Sequence, residues 1–358
     1  MIRLIKPYLC YDEIKGDFAD ILESGMLTKG RFSKLLPKKV CEYTGAKHAF
    51  LTTSATTALT MCLRLVGVGQ GDEVIVSDFS FPASVNVIED LGATPVFADV
   101  SRDTFNTTPE TVASLITDKT KALIFVDGLG NPSGTDRIAA LCREKGIVMI
   151  EDAACAIGSS INGVKTGNVA DLTCFSLHPR KLITGGEGGI ITTNDESYAR
   201  VLSYKLNHGQ DETGAFIDYG YNYRMPELSC AMVCKQLEKL DDIVASRIRQ
   251  QKEYNERLAP LGFIAQKHDK NVTHNMQSIV FRLPDGLDQQ ALFAHLRERN
   301  IECIFGTYCL SECEYYRNKY HNVQPVASYL QHHTITLPCY ADVPVDEVAN
   351  CIAEFCAK

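Results

Sequence analysis

Residues 147–158 read IVMIEDAACAIG, a run of branched and long apolar side chains that passes directly into two acids, Glu151 and Asp152. Such a run has the pattern of a strand buried on both faces, with its carboxyl end opening on a site. The same pattern recurs upstream. HAFLTT leads into SATTALTMCLRLVGV, DEVIVS into FPASVNVIEDLG, TPVFADV towards TPETVASLI, and KALIFV through DGLGNPSG into TDRIAALCREKG. Continuous apolar strands alternating with amphipathic helices predict an α/β fold. Its sheet is mostly parallel and doubly wound, with ligands at the carboxyl ends of the strands.

Beyond this series, ADLTCFSL and GGIITTN flank a glycine-rich stretch and predict two further strands. A helix is expected near DESYARVLSYKLN, and a long helical region from about Met225 to Leu258. The remainder has strand patterns at QSIVFRL and HTITLP and helix patterns at DQQALFAHLRERN and PVDEVANCIAEFC, which predict a smaller βαβ-like core. We place a boundary near residue 240. This gives a large domain over 1–240, with an N-terminal arm over 1–30, and a small α+β domain over 241–358.

The 358 residues carry 44 acidic and 36 basic side chains, a net charge of -8 spread along the chain rather than gathered into a stripe. That distribution speaks against nucleic-acid or anionic-membrane partners. The start, MIRLIKPYLCYDEIKGDF, lacks the apolar core of a secretory signal, and no run approaches the ~20 apolar residues that span a bilayer. The chain therefore reads as cytoplasmic. Its 14 cysteines are scattered, without a CxxC pair or converging histidines, and read as reduced apolar side chains rather than metal ligands.

Two stretches carry chemistry. CFSLHPRKLITGGEGG, residues 174–189, places Lys181 beyond a later strand end, and Asp152 stands at an earlier one. An amine and a carboxylate so placed are what pyridoxal phosphate requires: the amine forms a Schiff base, and the acid keeps the pyridine nitrogen protonated. An isolated Asp152 would otherwise read as a helix cap. TTSATTAL offers a phosphate cradle, because Ser54, Ala55, Thr56 and Thr57 open a helix directly after a strand. The same residues also describe plain capping. Ser176 supplies a second hydroxyl, and Phe81 an aromatic ring to cover the pyridine, with Phe79 as its competitor.

With these segments in place, the sequence resembles the PLP-dependent sugar aminotransferases of the DegT/DnrJ/EryC1/StrS family, which have the aspartate-aminotransferase fold (PLP fold type I). The resemblance runs over nearly the whole chain through GMLTKG, SATTAL, GDEVIVSDFSFPASVN, GATPVFADV, IEDAACAIGS, CFSLHPRKLITGGEGG, DYGYNYRMPELSCAM and TLPCYADV. It implies that Lys181 forms the Schiff base, Asp152 meets the pyridine nitrogen, and Phe81 stacks on the ring. Ser54, Ala55, Thr56 and Ser176 would then hold the phosphate. Asn222 of GYNYRM, which alone reads as a turn residue, would reach the phosphate from a neighbouring subunit and make a homodimer the active unit. The implied reaction moves an amino group from L-glutamate to a nucleotide-linked keto-sugar, a 4-keto-6-deoxy sugar.

Three positions depart from the family pattern. Cys155 stands where a glutamine usually bonds the cofactor's phenolic oxygen, Ala55 where glycine is usual, and DGLG at Asp127–Gly130 where HLYG is common. A sugar dehydratase and a non-catalytic, cofactor-sensing protein remain the alternatives. The first is disfavoured by Lys181, since dehydrating members carry histidine there, and the neighbouring His178 reads as a packing or hydrogen-bonding residue rather than a base. A nicotinamide enzyme is disfavoured because GLGNPSG does not match G-x-G-x-x-G and follows the fourth strand rather than the first.

Overall fold

The computed structural model describes residues 1–9 and 11–357, so the Cys10 thiol and Lys358 lie outside it. Seven strands form the main sheet in the order 48–52, 189–193, 172–176, 148–152, 120–126, 73–77, 94–98. Gly189–Thr193 runs antiparallel to both its neighbours, and every other pairing in the sheet is parallel. The register aligns Val126 with Asp152 and Asp152 with Cys174, so strands 120–126 and 148–152 finish level along one edge and strand 172–176 runs on to Ser176.

Burial explains the strand sequences. Ile124, Ile150 and Leu172 are fully enclosed, which suits branched apolar side chains on a sheet covered on both faces. Helices Ala55–Leu65 and Ala83–Asp90 cover one face, packing Leu59, Leu63, Val85 and Ile88 against Val76 and Ile124. On the other face, helix Thr135–Lys145 sets Ile138 and Cys142 against Leu123 and Phe125. Beside it, Arg31–Thr44 and Glu227–Leu237 pack Leu36, Val40, Cys230 and Ala231 against Phe175 and Ile190.

The long helical region is two helices, Glu227–Leu237 and Leu240–Leu258, interrupted where Lys239 leaves helical geometry at φ -106°, ψ 0°. The second helix joins two cores: Leu240 and Val244 pack beside the main sheet, Tyr254 and Leu258 beside the C-terminal one. That C-terminal sheet corrects the expected βαβ-like core. Its strands 264–265, 279–282 and 334–337 pair antiparallel throughout. Apolar strands look alike in either orientation, and the intervening segment with helices Gln289–Glu298, Glu314–Tyr320 and Pro325–His332 is long enough to return the chain either way.

The N-terminal arm contains helix Tyr11–Ser24, which the apolar pattern did not suggest. The first residues attach to the C-terminal half, where Ile2 bridges Ile301 and the Cys339 amide donates to the Leu4 carbonyl at 2.9 Å. Among the described residues no helix is long and apolar enough to cross a membrane, and no three His, Cys, Asp or Glu side chains converge as a metal site requires.

Candidate active site

Helix Ala55–Leu65 begins at the carboxyl end of strand 48–52 because Ser54 caps it. The Ser54 hydroxyl accepts from the Thr57 amide at 3.1 Å, and the Thr57 hydroxyl accepts from the Ser54 amide at 3.0 Å. This reciprocal cap occupies the Ser54 side chain and leaves the Ala55 and Thr56 amides without intrahelical acceptors. Ala55 has ordinary right-handed helical geometry, so a glycine is not needed there. Gly189 pairs with Thr52 on one side and Ser176 on the other. A Cβ on Gly189 would lie 2.4 Å from the Ser54 carbonyl carbon. The missing side chain therefore lets the helix N-terminus sit over the strand next to Ser176, leaving the free amides of Ala55 and Thr56 beside the Ser176 strand end.

Asp152 ends its strand nearly enclosed. Its Oδ2 accepts from the Ser84 hydroxyl at 2.6 Å, and its Oδ1 from the Ala154 amide at 3.2 Å. Burial raises its pKa, against the pull of the Ser84 hydroxyl, the Ala154 amide and the Lys181 ammonium. Ser84 in turn meets Ser80 at 2.8 Å. One turn before Ser84, Phe81 is 64% exposed and sets its ring edge-on to Tyr308 at 6.1 Å. Phe79 is enclosed against Phe105, which settles which of the two phenylalanines is free to cover a ligand.

Lys181 lies in the turn after strand 172–176, and its Nζ donates to Cys155 Sγ at 3.0 Å. The peptide units flanking it are clamped by one side chain. Gln277 Oε1 accepts from the Leu182 amide at 2.9 Å, while its Nε2 donates to the Arg180 carbonyl at 2.6 Å. His178 Nδ1 accepts from the Arg180 amide at 3.2 Å, closing the turn as expected of a hydrogen-bonding residue. The neighbouring glycines serve packing, since a Cβ on Gly185 would fall 2.7 Å from Met225 Cε. Asn222 is exposed on the 207–222 excursion and bridged to Asn207. Among the described residues its side chain has no hydrogen bond to the Lys181 cluster.

Behind Asp152 stand two further buried acids, Asp127 and Glu151. Thr135 donates to Asp127 Oδ1 at 3.2 Å and Thr173 to Glu151 Oε2 at 2.7 Å, while Asp127 Oδ2 and Glu151 Oε1 find no other donor. Burial pushes both carboxyls up, Glu151 to about 7, and the neighbouring Glu151 raises Asp127 further. DGLG is therefore a structural joint rather than a substrate loop. Asp127 is fully enclosed, and the Gly130 carbonyl accepts from Ser159 Oγ at 2.6 Å. A Cβ on Gly130 would fall 2.2 Å from Asn275.

A helix N-terminus with free amides, an amine, a hydrogen-bonded buried carboxylate and an exposed ring thus collect at one edge of the sheet. These donors fit pyridoxal phosphate. The model of the DegT/DnrJ/EryC1/StrS aminotransferase family matches residues 10–355. The chain belongs to that family. Among solved structures, Helicobacter pylori PseC, an aminotransferase involved in the biosynthesis of pseudoaminic acid, is 26% identical with a TM-score of 0.92, over 98% of each chain. Spr1654 from Streptococcus pneumoniae, assigned as a sugar aminotransferase and solved in its PMP form, gives the same identity, TM-score and coverage. The aminotransferase TlmJ from Streptoalloteichus hindustanus is 26% identical with a TM-score of 0.93, over 100% of this chain and 99% of its own. The protein is accordingly a PLP-dependent sugar aminotransferase with the α/β fold of that group.

Ser84, Gln277 and Asn275 escaped the sequence reading of this aminotransferase. Ser84 lies in the first turn of helix Ala83–Asp90, and the Ser80 hydroxyl that meets it ends the short strand Phe79–Ser80, so no single period links the two in sequence. Gln277 and Asn275 reach the site from the C-terminal half, and no local pattern marks them.

Proposed function

We propose that this aminotransferase moves the amino group of L-glutamate onto a nucleotide-linked keto-sugar, a 4-keto-6-deoxy sugar, as a homodimer with shared sites. The observation that carries the reading is the meeting of Lys181 Nζ, Cys155 and Asp152 at the carboxyl edge of the sheet, beside a helix N-terminus open to an anion. The sugar acceptor is supported by the relatives, one named for pseudoaminic acid biosynthesis. The nucleotide link and the glutamate donor extend the family resemblance.

When bound, pyridoxal phosphate supplies an aldehyde that carries the amino group and a protonated ring that takes up electrons from the donor carbon. The amides of Ala55 and Thr56 and the Ser176 hydroxyl take the phosphate, with Asn222 of a second copy completing the cradle. Asp152, held as a carboxylate by Ser84 and the Ala154 amide, keeps a proton at the pyridine nitrogen. The exposed Phe81 would cover one face of the ring. The Lys181 amine, displaced by the incoming donor, takes the proton from the donor's α-carbon and later returns one to the sugar carbon. Cys155, half-buried beside it, steadies Nζ through the 3.0 Å contact.

The test is transfer of isotopically labelled nitrogen from L-glutamate to a panel of nucleotide-linked keto-sugars, read by mass spectrometry with release of 2-oxoglutarate. Label in a 4-keto-6-deoxy acceptor is the expected result. Oxoglutarate release without label in any nucleotide-linked sugar would overturn the acceptor, and no oxoglutarate release would overturn the donor.

A further inference from the structure

Among the described residues, Cys155 is the thiol that meets a lysine amine: Sγ lies 3.0 Å from Lys181 Nζ. Both groups are held from behind. The Cys155 carbonyl accepts from Asn275 Nδ2 at 2.8 Å, and Gln277 clamps the peptide units on either side of Lys181. Cys155 is only partly buried, so a small oxidant can reach its sulfur. Cys62, Cys142, Cys174, Cys230, Cys234 and Cys339, by contrast, are sealed in the cores.

We propose that Cys155 and Lys181 form a reversible oxidative cross-link, a sulfur–nitrogen bond made when a hydroperoxide reaches the site while the lysine is free of cofactor. In the first step hydrogen peroxide takes two electrons from the Cys155 thiol, leaving a sulfenic acid and one water. The Lys181 amine, as its free base, then attacks that sulfur with its lone pair. The S–N bond forms, the S–O bond breaks, and the departing hydroxide leaves with a proton from nitrogen as a second water. The chain is then lighter by two hydrogen atoms, and Lys181 can no longer react with an aldehyde. A thiol reverses the bond by attacking sulfur: the amine leaves, and a second thiol reduces the mixed disulfide.

The cross-link depends on the state of the site. A lysine nitrogen joined to pyridoxal phosphate as an imine has no N–H proton to give up when bonding sulfur, so the loaded resting enzyme is shielded. The cofactor-free chain is exposed, and so is the chain whose cofactor holds the amino group and has released the lysine. Oxidant thus withdraws the site when it is not charged with aldehyde cofactor. The glutamine usual in the family at this position has no sulfur and cannot take part. The shielding rests on the role proposed for Lys181, whereas the bond itself needs only the observed contact.

The experiment treats the full chain with hydrogen peroxide, once stripped of cofactor and once reloaded with pyridoxal phosphate, followed by quenching, thiol-free digestion and peptide mapping. The stripped chain should yield the Cys155 and Lys181 peptides joined and two hydrogens lighter, with loss of its capacity to bind pyridoxal phosphate. Dithiothreitol should restore both. Cys155→Gln and Cys155→Ser chains should bind as much pyridoxal phosphate after peroxide as before it. Cys155 found as sulfenic or sulfinic acid in the stripped chain, with Lys181 unmodified, would overturn the cross-link. Equal cross-linking in the reloaded chain would leave the bond standing and overturn the role assigned to Lys181 in the transfer reaction.

Discussion

Replacing Glu151 with glutamine should stabilise this aminotransferase increasingly as pH rises above about 4.5, while leaving it unchanged below that. The wild-type residue is fully buried beside Asp127, with one oxygen of each acid lacking any hydrogen-bond donor. A glutamine amide at that point donates to Asp127 Oδ2, and its oxygen still accepts from the Thr173 hydroxyl. The sign follows from proton affinity. Glu151 is raised from 4.5 to about 7 in the folded chain, so between those values the unfolded chain has lost a proton that the folded chain retains. Stability therefore falls as pH rises through this window and levels off above it. At about 1.4 kcal/mol for each tenfold change in proton affinity, the loss is on the order of 3 kcal/mol. Urea unfolding of Glu151→Gln and wild type between pH 4 and 8 reads the difference. The variant's advantage should be near zero below about pH 4.5 and grow to a midpoint rise of up to about 1 M by pH 8. A difference that stays flat across the range, or one that grows towards acid, would refute the raised proton affinity of the buried Glu151 carboxyl.

Two further outcomes follow from single contacts. Ser84→Ala removes the 2.6 Å donor to Asp152, which should raise that carboxyl's pKa further and weaken cofactor retention by about 1.5–3 kcal/mol, roughly ten- to a hundredfold. Dissociation of pyridoxal phosphate followed by absorbance reads this, and unchanged retention would contradict it. Glu227, nearly fully enclosed, accepts from the amides of Gly30, Phe32 and Ser33 at the start of helix Arg31–Thr44. Glu227→Ala should therefore cost about 3 kcal/mol of stability, read as a fall in urea midpoint.

The alternation of apolar strands and amphipathic helices made the main sheet legible, because a parallel sheet covered on both faces writes its burial into continuous runs such as KALIFV and IVMI. Asp152 ends strand 148–152, the Ser54–Thr57 turn follows strand 48–52, and Lys181 lies five residues beyond strand 172–176, so their placement near strand ends could be read locally. Strand direction in the C-terminal sheet was not, since an apolar strand carries no mark of its orientation. Helix Tyr11–Ser24 was also missed: it buries only Ile14 and Ile21, too narrow an apolar stripe to stand out in sequence. The clamp on Lys181 was hidden for another reason, since Gln277 lies 96 residues from the lysine it steadies and its role exists only in the folded chain. Asp127, noted in sequence only as part of the DGLG departure from HLYG, is one of two buried neighbouring acids, a placement that exists only in the folded chain.

The claim on which the account depends is that Lys181 holds pyridoxal phosphate by its side-chain nitrogen. Borohydride reduction of the loaded chain, followed by proteolysis and mass spectrometry, makes that link permanent and locates it. The account predicts the pyridoxyl group on the peptide containing Lys181, and none in a Lys181→Ala chain that still folds. A pyridoxyl group on a different lysine, or none on the wild-type chain, would contradict it.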